Sequence, residues 1–231
     1  MKTIGLIGGT SWESSLEYYR LLNEMTKERL GGLHSAKVLM YSVDFGPMER
    51  AMRSGDWEAV ARDLTRGARS LEQGGADFFL LCSNTTHKCA DPVAASVDIP
   101  LLHIGQASGT EIQRLGLKKT GLLGTRFVMQ DDFLKGYLEA HFGLEILIPG
   151  LADQDRINSI IFEELCLGQF KDVSRGFFQG CMEQLKDQGA ECVILGCTEI
   201  PMLIKAEDAC LPSIDTTTLH ARSAVEQALA G

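Results

Sequence analysis

A cysteine that ends an apolar run is the first candidate for chemistry in this sequence. Residues 192–196 read Cys-Val-Ile-Leu-Gly, and Cys197, Thr198 and Glu199 follow directly. An apolar run bounded by a turn signal is typical of a buried parallel strand, and open α/β sheets bind ligands at the carboxyl ends of their strands. If Thr198 caps the next helix, free amide groups lie beside the sulfur, where they favour a thiolate and attract anions. The alternative is an inert core cysteine, since free cysteines are often buried.

The same pattern occurs earlier in the chain. Residues 80–87 read Leu-Leu-Cys-Ser-Asn-Thr-Thr-His, and Ser83 aligns there with Cys197. Two further pairs of segments match in the same order and at nearly the same spacing: residues 4–10 with 120–125, and residues 99–103 with 211–215. Three ordered matches indicate a tandem duplication into two half-domains. If the two halves face each other, Ser83 and Cys197 lie on opposite walls of one cleft.

Strand and helix signals alternate along the whole chain. Predicted strands cover residues 3–7, 37–44, 77–82, 119–123, 144–148, 192–196 and 212–214. Predicted helices cover residues 12–30, 57–73, 106–115, 130–141, 155–167, 173–187, 198–206 and 217–229. Thr10 and Glu13 have capping-box spacing at the start of the first helix. Repeated β-α order predicts an α/β fold of parallel sheets with helices on both faces. The expected domains are residues 1–99 with 207–231 and residues 100–206, with the last helix packed back on the N-terminal half.

Composition narrows the function classes. The 231 residues are 45% apolar and 23% charged, which is ordinary for a soluble globular protein. The net charge of −9 provides no basic field for nucleic acid or an anionic membrane, and no apolar segment is long enough to span a bilayer. The N-terminus runs into a strand-like segment without a signal-peptide layout, and the seven cysteines are odd in number and scattered. These features predict a cytoplasmic protein with a small-molecule substrate, no nucleic-acid partner and no membrane partner.

Familiar cofactor and metal motifs do not occur. The residues after the first strand do not form G-x-G-x-x-G, and the chain contains neither a P-loop nor a G-x-S-x-G elbow. Cys82, His87 and Cys89 would need a fourth ligand to hold zinc, and no paired C-x-x-C accompanies them. We therefore predict no metal and no cofactor. The other histidines are interpreted as surface residues or hydrogen-bonded core residues.

Three loops resemble the signature loops of the aspartate/glutamate racemase family. They are residues 8–14 (Gly-Gly-Thr-Ser-Trp-Glu-Ser), residues 83–87 (Ser-Asn-Thr-Thr-His) and residues 196–199 (Gly-Cys-Thr-Glu). Residues 160–170 are similar to the broad-specificity bacterial branch of that family. The resemblance runs through the whole chain in order. It implies a cofactor-independent isomerase, an amino-acid racemase that produces D-amino acids. It also implies two pseudo-symmetric Rossmann-like domains with the active site between them, and a homodimer.

The resemblance assigns the two catalytic residues. The usual member carries two cysteines, one before Asn-Thr and one in Gly-Cys-Thr, which act on opposite faces of the α-carbon. Cys197 matches the second cysteine, but Ser83 occupies the place of the first. Cys82 lies one residue early, and a shift of one residue in a strand turns the side chain to the other face. We predict that Cys197 removes the proton of an L-amino acid and that Ser83, or water held by it, reprotonates the other face. Because a hydroxyl is a far weaker acid than a thiol, the L-to-D direction should be faster.

Further residues are predicted to bind the substrate. Backbone N–H groups and hydroxyls at Thr10, Asn84, Thr85 and Thr198 are candidate donors to the substrate carboxylate. Glu199 is a candidate to accept or orient the Cys197 proton, and Thr198 and Glu199 together also suit simple helix capping. The first signature loop adds Ser11.

A segment near residue 50 is expected to contact the substrate side chain. Residues 48–53 resemble the family's side-chain-binding segment, where Met52 suggests tolerance of less polar substrates. Arg53 is either a clamp for an acidic substrate or a surface helix residue.

Two alternatives to a racemase stay open on the sequence. A single active-site cysteine also resembles the decarboxylase and cis-trans isomerase relatives of the same superfamily. A protein that has lost one base could instead bind amino acids without catalysis. The loop at residues 8–12 favours the racemase branch over the decarboxylase and isomerase relatives.

Overall fold

The computed structural model describes residues 1–230, which form two compact units. The first unit contains residues 1–104 and 220–230, and the second contains residues 105–219. The second unit is therefore one continuous stretch of chain, while the first is assembled from both ends of the sequence. The predicted ranges placed residues 207–219 with the N-terminal half, but the strand in that stretch belongs to the sheet of the second unit.

The first unit contains a three-stranded parallel sheet. In chain order its elements are β1 (Ile4–Gly8), α1 (Trp12–Leu30), β2 (Val38–Ser42), α2 (Phe45–Ser54), α3 (Trp57–Gln73), β3 (Phe78–Leu81) and α4 (Ala90–Ala94). The strand order is β2-β1-β3, so β1 is central, and all five of its residues are buried. A strand buried on both faces reads as a continuous apolar run, which is why the sequence predicted it. The parallel sheet places the loops after β1 and β3 side by side.

The second unit contains a four-stranded parallel sheet. Its elements are α5 (Ile104–Arg114), β4 (Lys119–Gly124), α6 (Arg126–Gln130), α7 (Asp132–Phe142), β5 (Glu145–Leu147), α8 (Leu151–Glu163), α9 (Asp172–Asp187), β6 (Cys192–Gly196), α10 (Ile200–Leu203) and β7 (Ser213–Asp215). The last helix, α11 (Thr216–Leu229), begins in this unit and belongs to the first unit from His220 onward. The strand order is β5-β4-β6-β7. The two sheets confirm the predicted α/β class with parallel strands.

Two local predictions are wrong. Ser11, not Thr10, caps α1, because the Ser11 hydroxyl accepts the Ser14 N–H at 3.3 Å. The helix predicted over 198–206 is only the four residues of α10. It stops because Ile204 is extended and the chain then turns at Lys205, whose backbone N–H donates to Asp208 Oδ2 at 2.9 Å.

The last helix completes the core of the first unit. Ile4, Leu6, Phe78 and Leu80 from the sheet pack with α1 and with one face of α11. The α11 residues in this core are Ala221, Ala224, Val225 and Ala228. This packing confirms the prediction that the C-terminal helix returns to the N-terminal half. No helix within residues 1–230 is long and apolar enough to cross a membrane.

Candidate active site

Cys197 lies at the carboxyl end of the second sheet. It follows β6, an inner strand whose five residues are all buried, and its own side chain is 8% exposed. Ligands of open parallel sheets bind at this edge. The structure therefore places the Cys197 thiol where the sequence predicted it, directly after a buried strand of a parallel sheet.

A buried carboxylate holds the Cys197 thiol. Cys197 Sγ donates to Oε2 of Glu199 at 2.9 Å, and the Thr198 hydroxyl donates to the same oxygen at 2.7 Å. Glu199 is 2% exposed. Thr198 is thus not the cap of the following helix, since Glu199 occupies the N-cap position of α10 and makes no side-chain cap. The three consecutive residues form one hydrogen-bonded group with the thiol as a donor.

The expected lowering of the Cys197 pKa is wrong. Burial of the sulfur raises the pKa of Cys197 well above its usual range, and the negative charge of Glu199 raises it further. The helix that was expected to supply free amides is only one turn long. The structure therefore holds Cys197 as a thiol with a proton acceptor already in contact. A thiol of high pKa yields a strong base once its proton has moved.

Cys166 is a neighbour of this group that the sequence analysis did not identify. It lies in the 3₁₀ turn Leu165–Leu167 after α8, and its Sγ donates to Oε1 of Glu199 at 3.9 Å. Both carboxylate oxygens of Glu199 therefore accept hydrogen bonds from side chains. The sequence signal for Cys166 is its place in residues 160–170, the segment that resembles the broad-specificity branch of the family. That resemblance does not indicate a contact with Glu199.

Ser83 lies at the matching place in the first sheet. It is the second residue after the end of β3 and is half-buried. Its backbone carbonyl accepts from the Thr86 hydroxyl at 2.9 Å and from Nδ1 of His87 at 2.8 Å. The preceding Cys82 is buried, and burial raises the pKa of its thiol well above the usual range. Cys82 therefore has the environment of an inert core cysteine.

The loop after β1 meets the loop after β3. The Ser14 hydroxyl donates to the Cys82 carbonyl at 2.8 Å, and the Gly9 N–H donates to the Ser15 hydroxyl at 2.7 Å. Thr10 and Ser11 are buried in this loop, and Asn84 and Thr85 are buried in the turn that follows Ser83. The structure thus gathers the predicted residues of the first unit, except Met52 and Arg53, at one edge of its sheet.

Met52 and Arg53 point in different directions on α2. Met52 is 4% exposed, whereas the side chain of Arg53 is 73% exposed and makes an ion pair with Glu49. An exposed i,i+4 pair of this kind is common on helix surfaces. The buried methionine and the outward arginine therefore have separate environments.

The first loop depends on Gly9, which gives a stability prediction. Its φ of 90° lies in the left-handed region, and a Cβ there would be 2.3 Å from the Val43 carbonyl oxygen. We expect Gly9→Ala to lower the free energy of unfolding by about 3 kcal/mol, because strain and a backbone clash add. Urea unfolding measures this loss. Gly31→Ala is the matched control, since Gly31 has φ 73° with nothing within 4 Å, and its cost should be about 1 kcal/mol. Equal losses in the two variants would contradict the prediction.

Comparisons with known proteins add an independent finding. The sequence profile of the Asp/Glu/Hydantoin racemase family matches residues 7–224. The broad specificity amino-acid racemase RacX of Bacillus subtilis (strain 168) is 26% identical over 175 residues, which are 76% of this chain and 75% of RacX. A Yersinia pestis protein assigned to the Asp/Glu racemases is 45% identical, with a TM-score of 0.92 over 99% of this chain and 100% of that one. An aspartate racemase homologue from Pyrococcus horikoshii OT3 is 34% identical, with a TM-score of 0.85 over 99% of each chain.

Proposed function

The chain belongs to the Asp/Glu/Hydantoin racemase family, and on that premise we propose that it inverts the α-carbon of aspartate, glutamate or a wider set of amino acids by two proton transfers. It is an isomerase of the amino-acid racemase type. The observation that carries the mechanism is the hydrogen bond from the Cys197 thiol to Glu199 Oε2 at 2.9 Å. The proposed reaction is cofactor-independent.

The first transfer takes place at Cys197. The S–H proton moves to Glu199 Oε2, and the resulting thiolate takes the α-hydrogen of the L-amino acid, which leaves the electron pair on the α-carbon. The α-hydrogen of an amino acid is very weakly acidic, so a strong base is needed. Burial supports this role, because a desolvated thiolate is a stronger base than a solvated one.

The second transfer takes place at Ser83. Its hydroxyl, or a water molecule bound to it, gives a proton to the opposite face of the α-carbon, and solvent replaces that proton. Glu199 releases to solvent the proton that it took from Cys197, which now carries the former α-hydrogen, so the protein returns to its starting protonation state. A serine hydroxyl is a weak acid and a poor source of a base, so the reverse reaction begins with more difficulty. Because the two enantiomers have equal free energies, kcat/KM is the same in both directions. The bias therefore takes the form of a higher kcat from L to D, offset by a higher KM.

Negative charge builds up on the substrate carboxylate as the α-proton leaves, and hydrogen-bond donors are needed to stabilise it. We propose backbone N–H groups and hydroxyls at Thr10, Ser11, Asn84 and Thr85 for this role. The Thr198 hydroxyl already donates to Glu199, so we assign it to orienting that carboxylate and assign the Thr198 N–H to the substrate. Donors fixed before the reaction stabilise the transition state without the cost of reorganisation.

The substrate side chain is proposed to lie against Met52. A buried methionine is flexible and tolerates varied shapes, which supports a range of amino acids. Arg53 is a weaker candidate as a clamp because its side chain is exposed and paired with Glu49.

The test is proton exchange in D₂O. The protein is incubated with L-aspartate, L-glutamate and several neutral L-amino acids, and loss of the α-hydrogen is followed by NMR together with chiral analysis. We expect exchange with inversion, a higher kcat from L than from D, and loss of both activities in Cys197→Ala. Comparable kcat values in both directions would contradict the bias. No exchange with any amino acid would favour a decarboxylase, a cis-trans isomerase or a binding protein.

A further inference from the structure

Three histidines of the first unit lie together in its interior. The rings of His87 and His103 meet edge-on with centroids 4.7 Å apart, and the His220 ring lies 5.9 Å from that of His87. His87 and His220 are both buried. The sequence suggests His87 only as a possible metal ligand. The cluster itself is not visible there, because its three residues are far apart in the chain.

Both ring nitrogens of His87 have hydrogen-bond partners. Nδ1 contacts the Ser83 carbonyl at 2.8 Å, and Nε2 contacts the Ile104 backbone N–H at 3.2 Å. A carbonyl can only accept and a backbone N–H can only donate, so Nδ1 carries the proton and Nε2 does not. Burial lowers the pKa of His87 well below its usual range, and the nearby His103 and His220 lower it further. The neutral Nδ1–H tautomer is therefore the form at physiological pH.

The bond from His87 fixes a peptide plane beside the proposed proton donor. The Ser83 carbonyl also accepts from the Thr86 hydroxyl, so two donors orient it. Because a peptide unit is planar, fixing that carbonyl also fixes the direction of the Asn84 N–H. The Ser83 hydroxyl and the Asn84 amide are both assigned to catalysis here. The hydrogen bonds of His87 go to backbone groups, so His87 holds the peptide that carries both catalytic groups.

We propose that His87 is a positioning residue that couples removal of the α-hydrogen to inversion, by holding the Ser83–Asn84 peptide for protonation from the Ser83 side. This inference rests on the proposed racemase function. Cys197 starts the reaction from L-amino acids in the other unit. A displaced Ser83 therefore leaves the first transfer intact, and the carbanion is then reprotonated by Cys197 to regenerate the L-enantiomer.

Two substitutions of His87 test its two hydrogen bonds one at a time, because each is expected to keep one bond and lose the other. The Asn side chain amide reaches the position of Nδ1, so His87→Asn keeps a donor for the Ser83 carbonyl. The Gln side chain amide reaches the position of Nε2, so His87→Gln keeps a partner for Ile104 and loses the bond to Ser83. With L-substrate in D₂O, the readout is the rate of D-enantiomer formation divided by the rate at which deuterated L-enantiomer appears. A general loss of folding lowers both rates together and leaves this ratio unchanged.

We expect His87→Gln to lower the ratio about tenfold to hundredfold, since a misplacement of about 1 Å costs a reaction roughly that much. His87→Asn should stay within about threefold of the wild type. Thr86→Val, which removes the second donor to the same carbonyl, should lower the ratio as well and serves if His87→Gln does not fold. Tyr18→Phe is the control, because the Tyr18 hydroxyl bonds to Nδ1 of His220 in the same cluster at 2.8 Å, and its ratio should not change.

Each outcome decides the matter. An unchanged ratio in His87→Gln and Thr86→Val, or an equal fall in His87→Asn and His87→Gln, overturns the positioning role while the racemase function stands. Wild-type protein that exchanges no α-hydrogen overturns the proposed function and this inference with it.

Discussion

Replacing Glu199 by glutamine is expected to lower kcat for L-to-D racemisation about 100-fold or more, the usual size of a lost general base. At the same time, the Cys197 thiol should react with iodoacetamide at lower pH. Catalysis falls because it needs Glu199 as a proton acceptor. Thiol reactivity rises because it is limited by the negative charge of Glu199, which raises the pKa of Cys197. Glutamine has the shape of glutamate but cannot take the thiol proton, so the strong base is no longer formed where the substrate needs it.

The direction of the reactivity change follows from the causes of the Cys197 pKa. Burial raises that pKa first, and the charge of Glu199 and its hydrogen bond to the thiol raise it further. Glutamine removes the charge and can donate to the thiolate, so the pKa falls, while burial keeps it above the ordinary value. The pH at which alkylation is half-maximal should therefore move down.

Alkylation and racemisation of the same Glu199→Gln sample, each across a pH series, test this expectation. Glu164→Gln is the matched control, because the Glu164 carboxylate accepts from the Ser174 hydroxyl at 2.6 Å, whereas the Cys197 thiol donates to Glu199. The control should leave the alkylation profile where it was. A Glu199→Gln variant with wild-type activity would refute the role of Glu199 as proton acceptor, and an upward shift of the alkylation profile would refute the electrostatic account.

Ser83→Cys should make the kcat values of the L-to-D and D-to-L reactions similar. A thiol at this position, with a reference pKa of about 8.5, supplies both an acid for the L-to-D direction and a base for the reverse. We expect kcat from D to L to rise at least about tenfold, which is below the roughly 100-fold lower end of general acid–base effects, with a smaller change from L to D. The ratio of the two kcat values should then approach one. Progress curves that start from each pure enantiomer measure it.

The comparison variant for this experiment is Ser83→Ala. It has no acid at this position, so inversion should fall while exchange of the L-enantiomer at Cys197 continues. If Ser83→Cys leaves the ratio of kcat values unchanged, or if Ser83→Ala inverts as fast as the wild type, Ser83 is not the second catalytic group.

Sequence patterns predicted those elements whose ends are marked locally. The helices at Trp12–Leu30 and Trp57–Gln73 have the predicted bounds, because a polar cap precedes each and glycine follows each. The helix α2 was not predicted, since Phe45-Gly-Pro does not look like a helix start and its Asp44 cap was interpreted as the end of a strand. The overlong α10 prediction failed because the turn at Lys205 depends on a contact with Asp208 rather than on residue type.

The same difference between local and long-range contacts decides which residues of the candidate site could be predicted. Cys197, Thr198 and Glu199 are adjacent in sequence, so a short motif was enough to bring them together. Cys166 reaches Glu199 only through the packing of the turn after α8, and His87 reaches Ile104 only because the chain returns past β3. The pKa of Cys197 is opposite in direction to the expectation, because burial and the charge of Glu199 raise it and α10 is only one turn long.

The discontinuous first unit has a consequence for synthesis on the ribosome. Translation runs from the N-terminus, so β1, β2 and β3 are synthesised well before residues 220–230, which belong to the same unit. Until then, the apolar surface of Ile4, Leu6, Phe78 and Leu80 lacks the face of α11 that covers it. The core of the first unit therefore cannot be completed until the whole sequence of the second unit has been synthesised. The half that contains Ser83 is made first, yet its core is closed only by residues that follow the second unit in the chain.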